Sequence, residues 1–401
     1  MYLPTLVILK WAKSIGLVIL LTLSLAIFPT VLSDSLSSVQ IPSNLKPITY
    51  VNAQEEHSGE ETYLRLVSGI VQQQSNNNTN TTTTIQIPET AKGPIIPSEK
   101  GYLVQEIGNQ LYSVSDGSYN AMFMVTGGVV AVDAPPSLGV NYLKTIAEVT
   151  DKPITHVIYS HAHIDHIGAA NIFPENATFV AQQETANELQ RAMNVATNTS
   201  MVPQVPTVTF SKNMTLQFGN QTLQLDYYGN NHLPGNIFIY APQQRVLMLV
   251  DIIFPEWIPF PYLAITKDTA GFIEGHDIAL NNYDFDAIVA GHLTRLGTRA
   301  DVEVQREFVM DLENAAGKAN QEVLFSNIAS QVGSFDNPWL IFSKYIDAVN
   351  ENCGKNKLPK WESRLGAAEI FMSTHCFTMT ESGRVDPTVQ ALLQNSAFVY
   401  K

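Results

Sequence analysis

His161, His163, Asp165 and His166 fall within six consecutive residues, "HAHIDH", of a 401-residue chain that has only nine histidines. Imidazole and carboxylate are both electron-pair donors to divalent metals, so this density of them in one short stretch points to metal binding. His161 and His163 are two positions apart; in extended chain both rings project from the same side and can chelate one ion. Asp165 and His166 lie just beyond and can serve a second ion, roughly 3.5–4 Å from the first, the separation of two-metal hydrolases. For the cluster alone, a pH-sensitive histidine patch and a coincidence of composition are the competing readings.

A complete site needs more donors, and each candidate ends an apolar, strand-like run. His232 lies in "YYGNNHLPGN" after "LQLDYY", Asp251 closes "RVLMLVD", and His292 closes "DAIVAGH". Each alone reads equally well as a satisfied polar group at a strand end. Taken together with the cluster they form a seven-donor set. Of the other histidines, His156 is inside the strand before the cluster, where packing accounts for it. His276 follows the aromatic stretch in a loop, with lining of the pocket as its minor reading. His57 and His375 sit in no recognisable motif.

The elements that must position these donors begin at about residue 101. "YLVQEI", "QLYSVS", "NAMFMVT" and "GVVAVDAP" read as short strands joined by the turns "SDGS" and "TGG". "SLGVNYLKTIAEVT" has apolar positions at helical spacing after a serine start, and β-branched "ITHVIYS" leads straight into the histidines. "ATFVA", the helix-like "QETANELQRAMN", and the strands "TLQLDYY", "NIFIYAP", "RVLMLVD" and "DAIVAGH" follow. Hairpin-rich strands with interspersed helices indicate an α/β sandwich of two sheets flanked by helices. Residues 301–401 read as a C-terminal helical extension without donor clusters.

"HAHIDH", "HLPGN", "LVDIIF" and "AGH", in this order, make residues 101–300 resemble the metallo-β-lactamase superfamily. The resemblance implies an αββα sandwich, here with a C-terminal helical appendage, and metals at one edge between the sheets. It assigns His161, His163 and His232 to one metal and Asp165, His166 and His292 to the other, with Asp251 bridging both. Asp133, ending "VVAVD", matches an aspartate that supports the loop below the metals. The implied cofactors are two Zn2+, with iron or manganese also compatible with the donors. The implied chemistry is attack by a metal-bridging hydroxide on an activated carbonyl, with Asp165 orienting it and passing a proton to the leaving group.

Particular residues narrow the family. His163 stands where oxygen-reducing flavo-di-iron members carry glutamate. Asp251 occupies the bridging position of lactonase-like and glyoxalase-II-like members, where the family's β-lactamases typically have Cys or Ser in the corresponding region. No additional block of the RNA-processing branches is present. Some lactonases carry tyrosine three residues after the bridging aspartate; here Phe254 stands there, with Tyr262 or Tyr227 as candidate substitutes. The stretch "FPEWIPFPYLAI" reads either as an apolar wall over the metals or as an ordinary packed loop.

Acidic residues outnumber basic ones 37 to 23, a formal charge of −14, which argues against nucleic acid or anionic membrane surfaces as partners and leaves a small-molecule substrate. Residues 1–33 read as a signal peptide or membrane anchor: Lys10 and Lys13 precede the apolar run Ser14 to Phe28, closed by Pro29. Residues 34–100, with "QQQSNNNTNTTTT", read as an Asn/Thr-rich disordered tether. N-x-S/T acceptors occur at Asn77, Asn80, Asn176, Asn198, Asn213 and Asn220, and Cys353 and Cys376 are either a disulfide or two buried thiols. No G-x-S-x-G elbow or P-loop competes with the metal reading. The expectation is an exported, extracytoplasmic dinuclear zinc hydrolase of a lactone or similar ester. A thioester or β-lactam hydrolase and a non-catalytic metal-binding accessory protein of the envelope are the alternatives.

Overall fold

A computed structural model describes residues 87–333 and 335–398. Two sheets lie face to face. The seven-stranded sheet runs in chain order: β1 (Leu103–Gly108), β2 (Leu111–Ser115), β3 (Asn120–Val125), β4 (Val129–Val132), β5 (Ile154–Ile158), β6 (Thr178–Gln182) and β7 (Val208–Phe210). The five-stranded sheet holds β8 (Asn213–Phe218), β9 (Gln221–Asp226), β10 (Phe238–Ala241), β11 (Val246–Met248) and β12 (Ala287–Val289), ordered β12-β11-β10-β9-β8.

Period-two alternation explains how these strands build three apolar layers. Met122 and Met124 of β3, Val130 and Val132 of β4, and Ile239, Val246 and Met248 of β10 and β11 share one core. Their neighbours turn the other way. Phe123 and Ala131 meet Tyr142 and Ile146 of α1 (Val140–Val149) and Leu189 of α2 (Gln183–Val195). Phe238, Tyr240 and Leu247 meet α3 (Thr269–Asn282) and α4 (Arg299–Glu322). A strand buried on both faces must be apolar throughout, as β3 and β4 are.

The helical extension is α4 followed by α5 (Phe325–Val332), α6 (Pro338–Trp361), α7 (Ala368–Val385) and α8 (Pro387–Phe398). It shares its core with the five-stranded sheet: Phe308, Leu312, Trp361, Met372, Met379 and Leu393 belong to the cluster that contains Leu247, Ile252 and Ile288. Cys353 of α6 and Cys376 of α7 form a disulfide, which settles the two sequence readings of this pair. Among the described residues no helix is long and apolar enough to cross a membrane; the leader at 1–33 lies outside them.

Several details differ from the sequence reading. Residues 87–100, inside the segment read as tether, pack on the domain: Trp257 Nε1 donates to the Ala91 carbonyl and Arg295 Nε to that of Thr90. Backbone carbonyls bonded in this way carry no signature in side-chain composition. β7 and β8 are two further strands: "TVTF" is too short to show a period, whereas "NMTLQF" does alternate polar and apolar, as a strand at a sheet edge does. The first helix starts at Val140 behind Gly139 instead of at Ser137. His276 is inside α3, not in a loop, and its ring is buried against Phe272 and Gln305.

Candidate metal centre

Strand direction brings the donors to one end of the molecule. β4 and β5 are parallel, so the chain leaves both at the same end, where Asp133 and His161 follow. β11 and β12 are parallel too, and β10 runs antiparallel to β11. The exits toward Asp251 and His292 and the His232 loop entering β10 therefore share one edge, in the manner of parallel-strand crevices. Cross-sheet hydrogen bonds join the two halves there: Asn120 N–H donates to the Gly291 carbonyl and Ile237 N–H to that of Ser160.

The donors fall into two groups whose ligand-type atoms lie within 4.8 Å of one another: His161, His163, His232 and Asp251, and then Asp165, His166 and His292. Asp251 spans them. Its Oδ2 is 3.6 Å from His161 Nε2, 3.3 Å from His232 Nε2 and 3.1 Å from His166 Nε2, while Oδ1 is 3.1 Å from His292 Nε2. His163 Nδ1 and His232 Nε2 are 3.0 Å apart. His161, His166, His232, Asp251 and His292 are buried. Asp165 stays open, its side chain 44% exposed.

Residues behind the donors set their orientation. Asp133 accepts from Ser160 N–H at 2.7 Å, directly before His161, as expected of a support below the loop. Burial pushes its carboxyl up to about 6 against the opposing pull of His166. His292 Nδ1 donates to the Ser118 carbonyl, which leaves Nε2 as the donor atom facing Asp251. Asn120 Nδ2 donates to the Ala290 and His292 carbonyls, and Asn236 Nδ2 ties Asn231 Oδ1 to the Val250 carbonyl. Gly291 admits no larger residue: a Cβ there would sit 2.5 Å from Val250 Cγ1 and 2.8 Å from His166 Cε1. Asp133 and Asp251 both adopt positive φ, at 61° and 60°, a conformation that costs on the order of 1–3 kcal/mol and collects at functional sites.

These residues fit divalent metal. Burial raises the Asp251 carboxyl, but His166, His292 and His232 around it outweigh burial and hold it well below the ordinary carboxylate range. His161 is also driven down, by burial first and by the neighbouring His166 second, so it stays neutral. Its Nε2 is buried without a hydrogen-bond partner. Protons serve such a cluster poorly, because charging several touching imidazoles sets like charges together. A divalent cation takes several such lone pairs at once without that repulsion.

Aromatic rings cover one flank. Phe254 and Phe260 lie against His292 with centroids 6.0 and 4.8 Å away, and Tyr119 against His292 and His166 at 4.6 and 5.5 Å. The tyrosine packed at the centre is thus Tyr119, in the β2–β3 turn, a residue no motif singles out. Tyr227 instead bonds Asn230, and Tyr262 packs on Phe377. Both readings of the aromatic stretch hold for different residues: Phe254 and Phe260 form wall, while Ile258 and Leu263 are core. His375 is far from idle. Its Nδ1 accepts from Leu263 N–H and its Nε2 donates to the Pro259 carbonyl.

The sequence profile of the metallo-beta-lactamase superfamily matches residues 115–292. The 2,4-dinitroanisole O-demethylase subunit alpha of Nocardioides sp. (strain JS1661) is 25% identical over 230 residues, 54% of this chain and 62% of that protein. A metallo-beta-lactamase type 2 of Bacillus sp. (strain 170) is 26% identical over 166 residues, 41% of this chain and 58% of that one. The chain thus spans about three fifths of the length of these curated relatives. Among solved structures, a metallo-beta-lactamase from Pontibacter korlensis is 18% identical with a TM-score of 0.44, covering 52% of this chain and 98% of that chain.

Proposed function

Residues 115–292 being a domain of the metallo-beta-lactamase superfamily, we propose that the chain is a metal-dependent hydrolase of a small molecule with an activated carbonyl, a lactone or similar ester. The observation that carries this reading is the convergence of seven imidazole and carboxylate donors, with Asp251 facing both groups. His161, His163 and His232 would hold one cation and Asp165, His166 and His292 a second, with Asp251 between them. Nitrogen-rich donors favour zinc, and iron or manganese suit them as well. When bound, two such ions supply an acidified water and positive charge opposite a carbonyl oxygen.

The chain's own residues do the rest. Asp165, open to solvent beside His166, is placed to take the attacking water's proton and return it to the leaving oxygen. Tyr119, Phe254 and Phe260 screen the His292 flank from bulk water. Metal analysis combined with a panel of lactones, thioesters, β-lactams and activated aryl ethers tests the reading. Turnover of a lactone by metal-loaded protein is the expected result. Full metal occupancy with no turnover of any substrate would leave a metal-binding accessory protein as the function.

A second reading comes from the O-demethylase relative. Water would displace an alkoxy group from an electron-poor ring, and the aromatic rings beside His292 suit such a substrate. Release of methanol from a nitroanisole, with lactones untouched, would favour it. Export is part of the proposal and is supported by the Cys353–Cys376 disulfide and by exposed acceptor asparagines at 176, 198, 213 and 220. Protease added to intact cells should then degrade the protein, and its survival there would count against an extracytoplasmic location.

A further inference from the structure

The segment from Pro259 to Asp268 touches both donor groups. At its start, the Phe260 ring lies against His292. At its end, Lys267 N–H donates to the His232 carbonyl, and Thr266 Oγ1 and Asp268 N–H to that of Asn231. Between these anchors Tyr262, Leu263, Ala264 and Ile265 are four consecutive left-handed residues, φ 53–60°. None is glycine, so each is held against its own preference.

The hold comes from α7. Thr374 Oγ1 accepts from Tyr262 N–H at 3.2 Å, and His375 Nδ1 accepts from Leu263 N–H at 3.1 Å. His375 Nε2 donates to the Pro259 carbonyl at 3.0 Å. Both nitrogens of a wholly buried imidazole are therefore committed to this one segment. The turn buries Leu263 and Ala264 but leaves Phe260, Tyr262 and Ile265 at 43, 47 and 60% exposed. Phe260 touches the His292 ring and Tyr262 and Ile265 follow it within five residues, so three large apolar side chains stand in solvent on the segment that borders the donors.

We infer that the left-handed turn Tyr262–Ile265, with Phe260 at its base, is the rim that selects the substrate's apolar substituent, and that His375 is the residue that positions it. The substituent is an alkyl or aryl group on the ester or lactone; in this the inference rests on the hydrolase reading, whereas the positioning contacts do not. A buried methylene is worth about fourfold in affinity. Across γ-lactones of growing alkyl chain, kcat/KM of the full chain should rise by about two- to fourfold per methylene while the chain lies on the rim.

Phe260→Ala and His375→Ala should both flatten that rise, with the loss appearing in KM. His375→Asn, which keeps an acceptor close to the Nδ1 position, should restore part of it. Hydrogen exchange gives a readout independent of turnover: the Tyr262 and Leu263 amides should be protected in the native chain and released in His375→Ala. Equal chain-length dependence in all variants, or unchanged exchange at these two amides, would overturn the inference. Phe260 is half-exposed, so its variant reports even where His375→Ala fails to fold. Should the native chain cleave no lactone, the lactone reading falls alone, and calorimetry with 1-naphthylacetate judges the rim. Binding weakened about tenfold in Phe260→Ala supports it, and equal binding overturns it.

Discussion

The donor loops occupy residues 161–292 and supply every side chain of the two donor groups, whereas α4–α8, among the described residues, supply none. Yet the helical layer reaches the same centre through backbone. Gln305 of α4 accepts from Phe254 N–H and donates to the Ile252 carbonyl, clamping the chain that leaves Asp251. Thr374 and His375 of α7 clamp the turn that follows. The loops thus carry the chemistry, and the helices hold the rim in a conformation its own residues disfavour. A site can depend on a region that contributes no donor to it.

The contrast can be broken at either end, and the largest effects belong to the loops. Asp251→Ala removes the carboxylate shared by both groups; metal analysis should show loss from both, with no turnover above background. Retained metal at full occupancy would contradict its bridging place. Asp165→Asn removes a donor of the second group together with the proposed proton carrier, so kcat should fall by about 10²–10⁴-fold, with any metal loss confined to that group. Undiminished kcat would remove Asp165 from proton transfer.

Effects in the helical layer should appear as stability. The Cys353–Cys376 bridge spans 23 residues, and its removal by paired serine substitution should cost about 3 kcal/mol in urea unfolding. A smaller effect belongs to pH. Burial above all holds His375 down to about 3 and His276 to about 4, so both are neutral in the folded chain. Unfolded, they take protons below about 6.5. The unfolded state then binds more protons, and stability falls as pH drops from 6.5 toward 4, by up to about 1.4 kcal/mol per pH unit for each histidine. His276→Gln should flatten this slope in urea midpoints measured from pH 7 to 4; an unchanged slope would refute the assignment. Smallest of all is Glu307, pulled down to about 2 by Arg364 first and Lys360 second. Its side chain is 46% exposed, so Glu307→Gln should cost no more than about 1 kcal/mol, and less in high salt.

Much of this was legible in the chain itself. The strands before the donors alternate or run apolar because one or both faces are buried, so their periodicity announces them. Asp133, at the end of "VVAVD", could be placed below the histidine loop only through the family resemblance. Tyr119, Asn120 and Gln305 could not. Each acts on backbone or ring atoms of residues far away in sequence, and a single tyrosine, asparagine or glutamine in a turn or helix has no periodic signature. The packing of residues 87–100 escaped for the same reason.

By itself, the sequence determined which residue types were available for metal, how they were spaced, and which runs would form strands and helices, because these depend on local chemistry and local periodicity. Only the tertiary structure decided how Asp251 faces both groups and that Tyr119, not Tyr262 or Tyr227, packs against His292 and His166. It also decided that α7 holds a left-handed turn on the segment bordering the donors. Those facts depend on strand direction, on the meeting of two sheets, and on hydrogen bonds spanning more than a hundred residues, none of which any local pattern encodes.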